Sequence, residues 1–288
     1  MSDLPEPVLA WYAAHARDLP WRRPEASPWS VLVSEIMLQQ TPVARVLPVH
    51  EEWLERWPTP AELAAEPAGE AVRAWGRLGY PRRALRLHAA AVAITEEYGG
   101  EVPSSYDDLL ALPGVGDYTA AAVASFAFGR RHVVLDTNVR RVLARTLQAV
   151  EFPSRSVTRA ERDLAASVLP EVEETAAVWS VAVMELGALV CTAARPACEV
   201  CPVADRCAWR AAGYPAYDGP PRPTQAWAGT DRQCRGRLLG AVRDADGPVH
   251  ASTLEAAWPG DLQRDRCLAS LVEDGLLVRG SDSTYALP

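Results

Sequence analysis

The sequence contains no lysine, so all 29 of its Lys+Arg residues are arginines. A Schiff base, a P-loop phosphate contact and a pyridoxal anchor each need the ε-amine of lysine, because arginine does not lose its proton in proteins. The sequence therefore excludes covalent catalysis through a lysine side chain. Any phosphate contact made by a fixed positive charge falls to arginine.

Long apolar runs are also missing: no stretch of about 18 uninterrupted apolar residues occurs. The N-terminal segment MSDLPEPVLAWY has an acid and two prolines where a signal peptide has basic and apolar regions. We therefore expect a cytoplasmic protein with no membrane partner. In that compartment the six cysteines do not favour a disulfide framework.

Composition indicates a globular protein, with 49% hydrophobic and 23% charged residues among 288. The net charge of -8 opposes indiscriminate binding of polyanions, although it leaves room for a local basic surface.

Apolar residues recur at helical spacing from about residue 8 to 209, with breaks at proline or glycine. This pattern predicts an all-α domain over residues 1–212. Residues 213–229, rich in proline, are typical of a linker. Residues 230–288 predict three helices, at 231–243, 251–258 and 262–273, and a hairpin of strands at 276–279 and 284–287. This order suggests a winged-helix-like domain, with a small α/β packing module as the alternative.

Four thiols lie within one short turn-rich segment, in the pattern Cys191-x6-Cys198-x2-Cys201-x5-Cys207. Such a cluster predicts a metal centre. Zinc accepts four thiolates but is usually held by two tight Cys-x2-Cys pairs, whereas this uneven spacing suits an iron–sulfur cluster better. Both remain open on spacing alone. The other two cysteines, Cys234 and Cys267, are expected to be small core residues.

Two glycines occupy the turn Leu112-Pro113-Gly114-Val115-Gly116, between a predicted helix that ends near Ala111 and one that begins near Tyr118. Glycines there permit a tight turn and leave amides at a helix N-terminus open to a phosphate. Several arginines follow and are candidates for contacts with the phosphate backbone of a nucleic acid: Arg130, Arg131, Arg140, Arg141 and Arg145.

Two carboxylates are predicted to lie in contrasting environments. Glu35 has Val31, Leu32 and Leu38 as its helical neighbours, so desolvation should favour its protonated form. Asp136 precedes a predicted helix as an N-cap, where amides and the helix dipole favour the charged form. Cleavage of a glycosidic bond needs such a pair, an acid for the leaving group and an anion beneath the sugar cation.

These motifs together resemble one family. SEIMLQQT, WGRLGYPRRALRLH, LPGVGDYTAAAV, LDTNVRRVLAR and MELGALVC with its four cysteines are similar, in order and spacing, to the MutY-type adenine glycosylases of the endonuclease III helix-hairpin-helix superfamily. The resemblance covers about residues 9 to 210. It implies an all-α helix-hairpin-helix fold and a 4Fe-4S cluster on Cys191, Cys198, Cys201 and Cys207. The cluster would shape the 191–207 loop and play no redox part in the cleavage.

The resemblance also implies catalytic roles. Glu35 would protonate N7 of adenine, and Asp136 would stabilise the sugar cation or trap it transiently. Tyr118 stands where the bifunctional lyases of the superfamily carry a lysine, which indicates base removal without strand cleavage. The target base would be flipped out of the duplex.

Further positions match residues that contact DNA or the flipped base in the family. Arg17 and Trp21 would form the adenine-pocket wall, and Gln40 and Tyr80 would enter the helix where the base leaves. The full set of expected substrate- and DNA-binding residues is Arg17, Trp21, Gln39, Gln40, Tyr80, Gly114, Gly116 and Arg140.

Two departures from the family pattern concern specificity. Val181 replaces a Gln or Glu that helps to read adenine, and residues 230–288 are too few for the usual Nudix-like domain that reads 8-oxoguanine. We expect the short domain to dock on DNA instead, with Arg264 and Arg266 as backbone contacts.

The predicted partner is double-stranded DNA with adenine opposite 8-oxoguanine or guanine, bound by a monomer. The first alternative is a thymine or uracil mismatch glycosylase, a branch that also carries a tyrosine at the Tyr118 position. A second is a cluster-bearing DNA-binding regulator without catalysis, which the desolvated Glu35 opposes.

Overall fold

The structure, a computed structural model, describes residues 4–219 and 227–288. Its α-helices are α1 Pro5–His15, α2 Pro28–Leu38, α3 Val43–Arg56, α4 Pro60–Ala64, α5 Ala68–Trp75, α6 Arg82–Glu97, α7 Tyr106–Ala111, α8 Asp117–Phe128, α9 Thr137–Gln148, α10 Arg159–Val168, α11 Glu173–Leu189, α12 Ala208–Ala211, α13 Asp231–Arg243, α14 Ala251–Ala257 and α15 Asp261–Glu273. Short 3-10 turns cover Pro20–Arg22, Cys198–Val200 and Ala204–Arg206. The expectation of a mostly helical chain is confirmed. No described helix has the length and apolar character needed to cross a membrane.

Local sequence signals set several helix boundaries. Thr59 and Thr158 each begin a helix with a capping box, in which the threonine hydroxyl accepts from an amide that is three residues on. In turn, the side chains of Glu62 and Glu161 accept a hydrogen bond from the backbone amide of the capping threonine. Each box satisfies two amides that the first turn leaves without partners.

The described residues form two compact units. One contains residues 4–32, 104–111 and 115–219, and the other contains residues 33–103, 112–114 and 227–288. These are not the predicted domains 1–212 and 230–288, because the C-terminal residues pack in the same unit as residues 33–103. Within the predicted linker, residues 220–226 lie outside the described part of the chain.

In the first unit, α11 is the central core element. Ala182 and Leu186 on this helix have no solvent exposure, and Trp179 is 5% exposed. α9 packs close to α11 at Gly187, where an added Cβ would lie 2.6 Å from Cβ of Asn138. This close approach holds the start of α9 beside the end of α11, from which the cysteine loop follows.

In the second unit, a tryptophan cluster anchors α3 and α5. Trp53, Trp57 and Trp75 are all 1% exposed or less. The ring of Trp53 meets those of Trp57 and Trp75 edge to face, with centroids 4.8 and 5.9 Å apart. Edge-to-face packing of this kind adds to the large apolar area that each ring buries.

The C-terminal module, defined as residues 227–288, contains α13, α14, α15 and three short strands. These are β1 Val249–His250, β2 Val278–Arg279 and β3 Thr284–Ala286. The antiparallel sheet has the order β1-β3-β2, with Val249 opposite Tyr285 and Val278 opposite Ala286. β1 was not predicted because a two-residue strand leaves no readable alternation of side chains.

The module is joined to α5 by backbone contacts. The Gly69 amide donates to the Pro288 carbonyl at 2.8 Å, and a Cβ on Gly69 would lie only 2.4 Å from that oxygen. The Arg73 guanidinium donates to the carbonyls of Arg243 and Ala245. The end of the chain is therefore fixed against α5.

Candidate active site and nucleic-acid interface

Glu35 lies in the third turn of α2 and is 5% exposed. Leu32 and Ile36 on the same helix are 0% and 1% exposed. The carboxyl predicted to lie on an apolar helical face is therefore buried, as the spacing indicated. A carboxyl shielded from water is the environment in which enzymes place a general acid.

Asp136 is the N-cap of α9, as predicted. Its carboxylate accepts from the Val139 amide at 2.6 Å and from Nδ2 of Asn138 at 2.7 Å. Burial nevertheless raises the pKa of Asp136, although these hydrogen bonds and the charge of Arg141 act to lower it. The cap favours the charged form, as expected, but the cost of desolvation exceeds the effect of the cap on the pKa.

The hairpin of residues 112–116 joins α7 to α8. Gly114 has φ +79, and a Cβ there would meet Cβ of Arg86 at 2.6 Å. Gly116 is the N-cap of α8, and no atom lies within 4 Å of the position of its missing Cβ. Gly114 is thus required by the turn and by close packing, whereas Gly116 leaves the N-terminus of α8 open. A phosphate contact at these amides stays a prediction.

Tyr118 lies in the first turn of α8, half-buried against Ala121, Ala122 and Val134. Its neighbour Asp117 accepts from the Tyr106 hydroxyl and pairs with Arg162 at 2.7 Å. The hydrogen bond to Asp117 raises the pKa of Tyr106 to about 12.

This brace on the start of α8 was not predicted. Asp117 stands inside the LPGVGDYTA motif, yet its partners lie 11 and 45 residues away in the sequence. No local signal pairs them.

Arg17 and Trp21 lie in one turn that is held on α11 by Glu185. The Glu185 side chain has no exposure, and its carboxylate accepts from Nε and Nη2 of Arg17 at 2.7 and 2.6 Å. Arg22 pairs with the same carboxylate at 2.9 Å. Burial acts to raise the pKa of Glu185, but the hydrogen bonds from Arg17 and the charge of Arg22 hold it below its usual range.

One edge of the Arg17 guanidinium is therefore taken by Glu185, a residue that sequence reasoning missed. Trp21 is 6% exposed in the 3-10 turn Pro20–Arg22. Contacts of Arg17 and Trp21 with adenine stay a prediction.

Gln40 and Tyr80 are both non-glycine residues in the left-handed region, with φ of 55 and 49. Such strain persists only where surrounding contacts enforce it, and it is found often at functional sites. Arg83 supplies those contacts in both loops. Its Nη1 donates to the carbonyls of Ile36, Met37 and Gln39, and its Nη2 donates to Oγ1 of Thr41 and to the Gly79 carbonyl at 3.0 Å each.

Arg83 is a buried cation, 6% exposed, and among the ion pairs of the described residues none involves it. Burial lowers its pKa to about 10, so it stays protonated at neutral pH. It joins the turn that carries Gln39 and Gln40 to the loop that carries Tyr80. The sequence showed only two adjacent arginines in GYPRRALRLH, with no sign of which one is buried.

The four predicted metal-ligating thiols line one cavity, together with Val142 and Trp209. Burial raises the pKa of Cys191, and that of Cys201 to about 11, so a positive centre is needed to hold them as thiolates. Across residues 4–219 and 227–288, no three His, Cys, Asp or Glu side chains converge as ligands of a single ion. The choice between zinc and an iron–sulfur cluster stays a prediction.

Two arginines of α9 contact the cysteine loop. Arg145, 1% exposed, donates to Sγ of Cys191 at 3.4 Å and to the Thr192 carbonyl at 2.8 Å, and lies 4.6 Å from the Trp209 ring. Arg141 donates to the Cys191 carbonyl at 2.8 Å.

Arg140 was predicted to bind DNA; its side chain is engaged within the protein, and a DNA contact stays a prediction. Its side chain is 8% exposed, pairs with Glu161 at 2.8 Å and donates to the Ser154 carbonyl. Arg130 and Arg131 are exposed, but Arg130 pairs with Glu173 and Arg131 donates to the Pro170 carbonyl.

The expected contacts Arg264 and Arg266 are also engaged within the protein. Arg264 is 8% exposed and pairs with Asp261 at 2.9 Å, and Arg266 pairs with Asp231 at 2.7 Å. Neither is placed as a free cation for a phosphate.

A glycine hairpin between helices, a buried glutamate, a capping aspartate and a four-cysteine loop define a DNA glycosylase of the helix-hairpin-helix class. Residues 33–166 match the model of the HhH-GPD superfamily of base excision DNA repair proteins. Adenine DNA glycosylase of Mycobacterium tuberculosis is 54% identical, over 98% of this chain and 92% of its own length. The enzyme of that name from Mycolicibacterium smegmatis is 51% identical, over 100% of this chain and 97% of its own length.

Two solved structures share the fold. A thermostable thymine-DNA glycosylase is 27% identical with a TM-score of 0.63, covering 72% of this chain and 95% of its own. An endonuclease III trapped covalently on DNA is 24% identical with a TM-score of 0.61, covering 73% and 94%. The chain belongs to the MutY-type adenine DNA glycosylase family within the HhH-GPD superfamily.

Proposed function

We propose that this protein removes adenine paired with 8-oxoguanine or guanine from double-stranded DNA and leaves the abasic strand intact. The enzyme is a DNA N-glycosylase of base excision repair, hence a hydrolase. One observation carries the choice of adenine: relatives with that activity in their names match 98–100% of the chain, including its short C-terminal module. The short C-terminal module therefore does not argue against adenine.

Glu35 is the general acid in this proposal. Its buried carboxyl gives a proton to N7 of the flipped adenine, which then leaves with the electrons of the glycosidic bond. Water adds to C1′ of the sugar, and its proton returns to the active site. Proton transfer by a positioned carboxyl contributes about 10² to 10⁴ in rate.

Asp136 stabilises the sugar cation. Burial raises the pKa of Asp136 in the protein alone, and the charge of Arg141 offsets this only in part. An oxocarbenium centre beside the carboxyl adds a second positive charge and favours the ionised form. The charge of Asp136 is thus coupled to the transition state.

Release of the base without strand cleavage follows from the absence of lysine. Tyr118 takes the position at which a lyase forms its Schiff base, and a phenol cannot form one.

We assign a 4Fe-4S cluster to Cys191, Cys198, Cys201 and Cys207. The shared cavity and the donation of Arg145 to Sγ of Cys191 support this assignment. When bound, the cluster crosslinks the 191–207 loop and supplies no chemistry to bond cleavage. Residues 227–288 are proposed to be a winged-helix-like module, and the monomeric state and cytoplasmic location stay predictions.

Thymine or uracil excision is the second candidate, favoured by the likeness to a thymine-DNA glycosylase structure and by Val181. Four duplexes with A:8-oxoG, A:G, T:G and U:G pairs separate the two under single-turnover conditions. The proposal expects base release from the first two alone. Loss of thymine or uracil with retention of adenine contradicts it.

A further inference from the structure

Three side chains of the second unit form a stack that the established family chemistry does not explain. Cζ of Arg232, in the first turn of α13, lies 5.0 Å from the Tyr80 ring centroid and 5.4 Å from that of Trp227. Tyr80 is 44% exposed, Trp227 is 53% exposed, and Arg232 is exposed. The C-terminal module thus places the Arg232 cation against Tyr80 and the Trp227 indole against the same cation.

The stack is held in place by contacts around it. Asp274, at the end of α15, pairs with Arg82 of α6 at 3.2 Å and with Arg235 of α13 at 2.5 Å. Arg243 of α13 donates to the Gly76 carbonyl, four residues before Tyr80. α13 is therefore fixed to both sides of the Tyr80 loop.

Arg232 differs from four of the other arginines of its module. Arg235, Arg243, Arg264 and Arg266 all pair with aspartates. No ion pair among the described residues involves Arg232. Its guanidinium contacts the ring faces of Tyr80 and Trp227. A cation held on an aromatic face at an exposed site keeps its N–H groups available.

We propose that Tyr80, Arg232 and Trp227 form one DNA-contact surface, in which the C-terminal module binds the duplex beside the mispair. The occupant is indicated by the chemistry of the stack. Exposed aromatic faces take up unstacked bases, and a guanidinium without a carboxylate partner binds a backbone phosphate. This surface rests on the proposed function, because it requires Tyr80 to meet DNA next to the extruded base.

The module therefore contacts DNA through the start of α13 and not through α15. Arg264 and Arg266 on α15 are occupied by aspartates, as described above. In this chain the start of α13 supplies a contact beside the mispair.

The test compares R232A with R237A in the full-length protein. Arg237 is an exposed arginine of the same helix whose Cζ lies 5.6 Å from the Trp258 ring, so R237A removes the same type of contact at a site away from Tyr80. Binding is measured by fluorescence anisotropy on duplexes with a non-cleavable 2′-fluoro-adenosine opposite 8-oxoguanine or guanine, and on a fully paired duplex.

R232A is expected to weaken binding to the mispaired duplexes about tenfold, which corresponds to about 1.4 kcal/mol. The slope of log affinity against log salt should fall by about one, as for the loss of one phosphate contact. R232K should keep the slope while losing part of the affinity. R237A should stay within about twofold of the parent.

A double-mutant cycle with Y80A tests the stack itself. The combined loss in Y80A/R232A should be smaller than the product of the two single losses, because the two side chains act together. The proposed surface is contradicted if R232A and R237A bind the mispaired duplexes equally well. It is also contradicted if the losses of affinity from Y80A and R232A are fully independent. Since binding is read on uncleaved DNA, a parent protein that binds mispairs but releases no adenine contradicts the proposed function separately.

Discussion

Replacement of Arg83 by methionine tests how the loops that carry Gln40 and Tyr80 are held. The change keeps most of the buried stem and removes five hydrogen bonds, to three carbonyls that follow Glu35, to Thr41 and to Gly79. At about 1 to 1.5 kcal/mol each, these bonds contribute roughly 5 to 7 kcal/mol.

Part of that loss is offset by relief of the buried charge. Burial lowers the pKa of Arg83 to about 10, which corresponds to about 3 kcal/mol of desolvation cost. The net destabilisation expected for R83M is therefore about 2 to 4 kcal/mol. R83K, which can donate up to three bonds, should lie between the parent and R83M.

The assay is urea unfolding followed by circular dichroism, together with binding to the non-cleavable A:8-oxoG duplex. R83M should lower the free energy of unfolding by the amount above. It should also reduce the preference for mispaired over fully paired DNA, because the strained φ values of Gln40 and Tyr80 are no longer enforced. This account of Arg83 is refuted if the free energy of unfolding of R83M lies within about 0.5 kcal/mol of that of the parent. It is also refuted if R83M shows the full expected destabilisation but an unchanged preference for mispaired DNA.

The remaining predictions concern the carboxylates and the cysteine loop. E35Q should lower single-turnover adenine release by at least about 10² while mispaired DNA is still bound, and retained turnover removes Glu35 from its role as the acid. The pKa of Asp136 is raised, and the carboxyl must be charged to act, so release should fall as the pH drops through a value above the usual range for aspartate. The role is contradicted if the pH–rate profile of the parent has no acidic limb. It is also contradicted if D136N leaves that limb in place. R145M should lose iron and absorbance near about 400 nm more readily than the exposed variant R130M, because Arg145 holds Cys191 and the carbonyl of Thr192. Equal iron retention by the two variants contradicts this part of the account.

Much of the fold and part of the site could be predicted because they depend on local patterns. Apolar spacing identified α2 and placed Glu35 on a buried face, and the sequence before α9 identified Asp136 as its cap. The glycine hairpin was equally local, since the left-handed φ of Gly114 belongs to the turn itself. Each of these features depends on residues within one or two turns.

What sequence reasoning missed depends on contacts between distant residues. Arg140 and Arg145 resembled a basic helix face, but Glu161 and the cysteine loop occupy them. The net rise in the pKa of Asp136 was not predicted, because a cap can be recognised locally and burial cannot. The packing of residues 227–288 with residues 33–103 was likewise not predicted, since no local sequence pattern indicates the contact between Gly69 and Pro288.

The most direct test of the central claim is one time course with the parent enzyme on an A:8-oxoG duplex labelled on the adenine strand. Free adenine and strand length are measured together, before and after treatment with hot alkali. The account predicts that adenine appears while the strand stays full length, and that cleavage occurs only after alkali. Strand cleavage without alkali, with a protein–DNA adduct trapped stoichiometrically by borohydride and not attributable to the N-terminal amine, would contradict it.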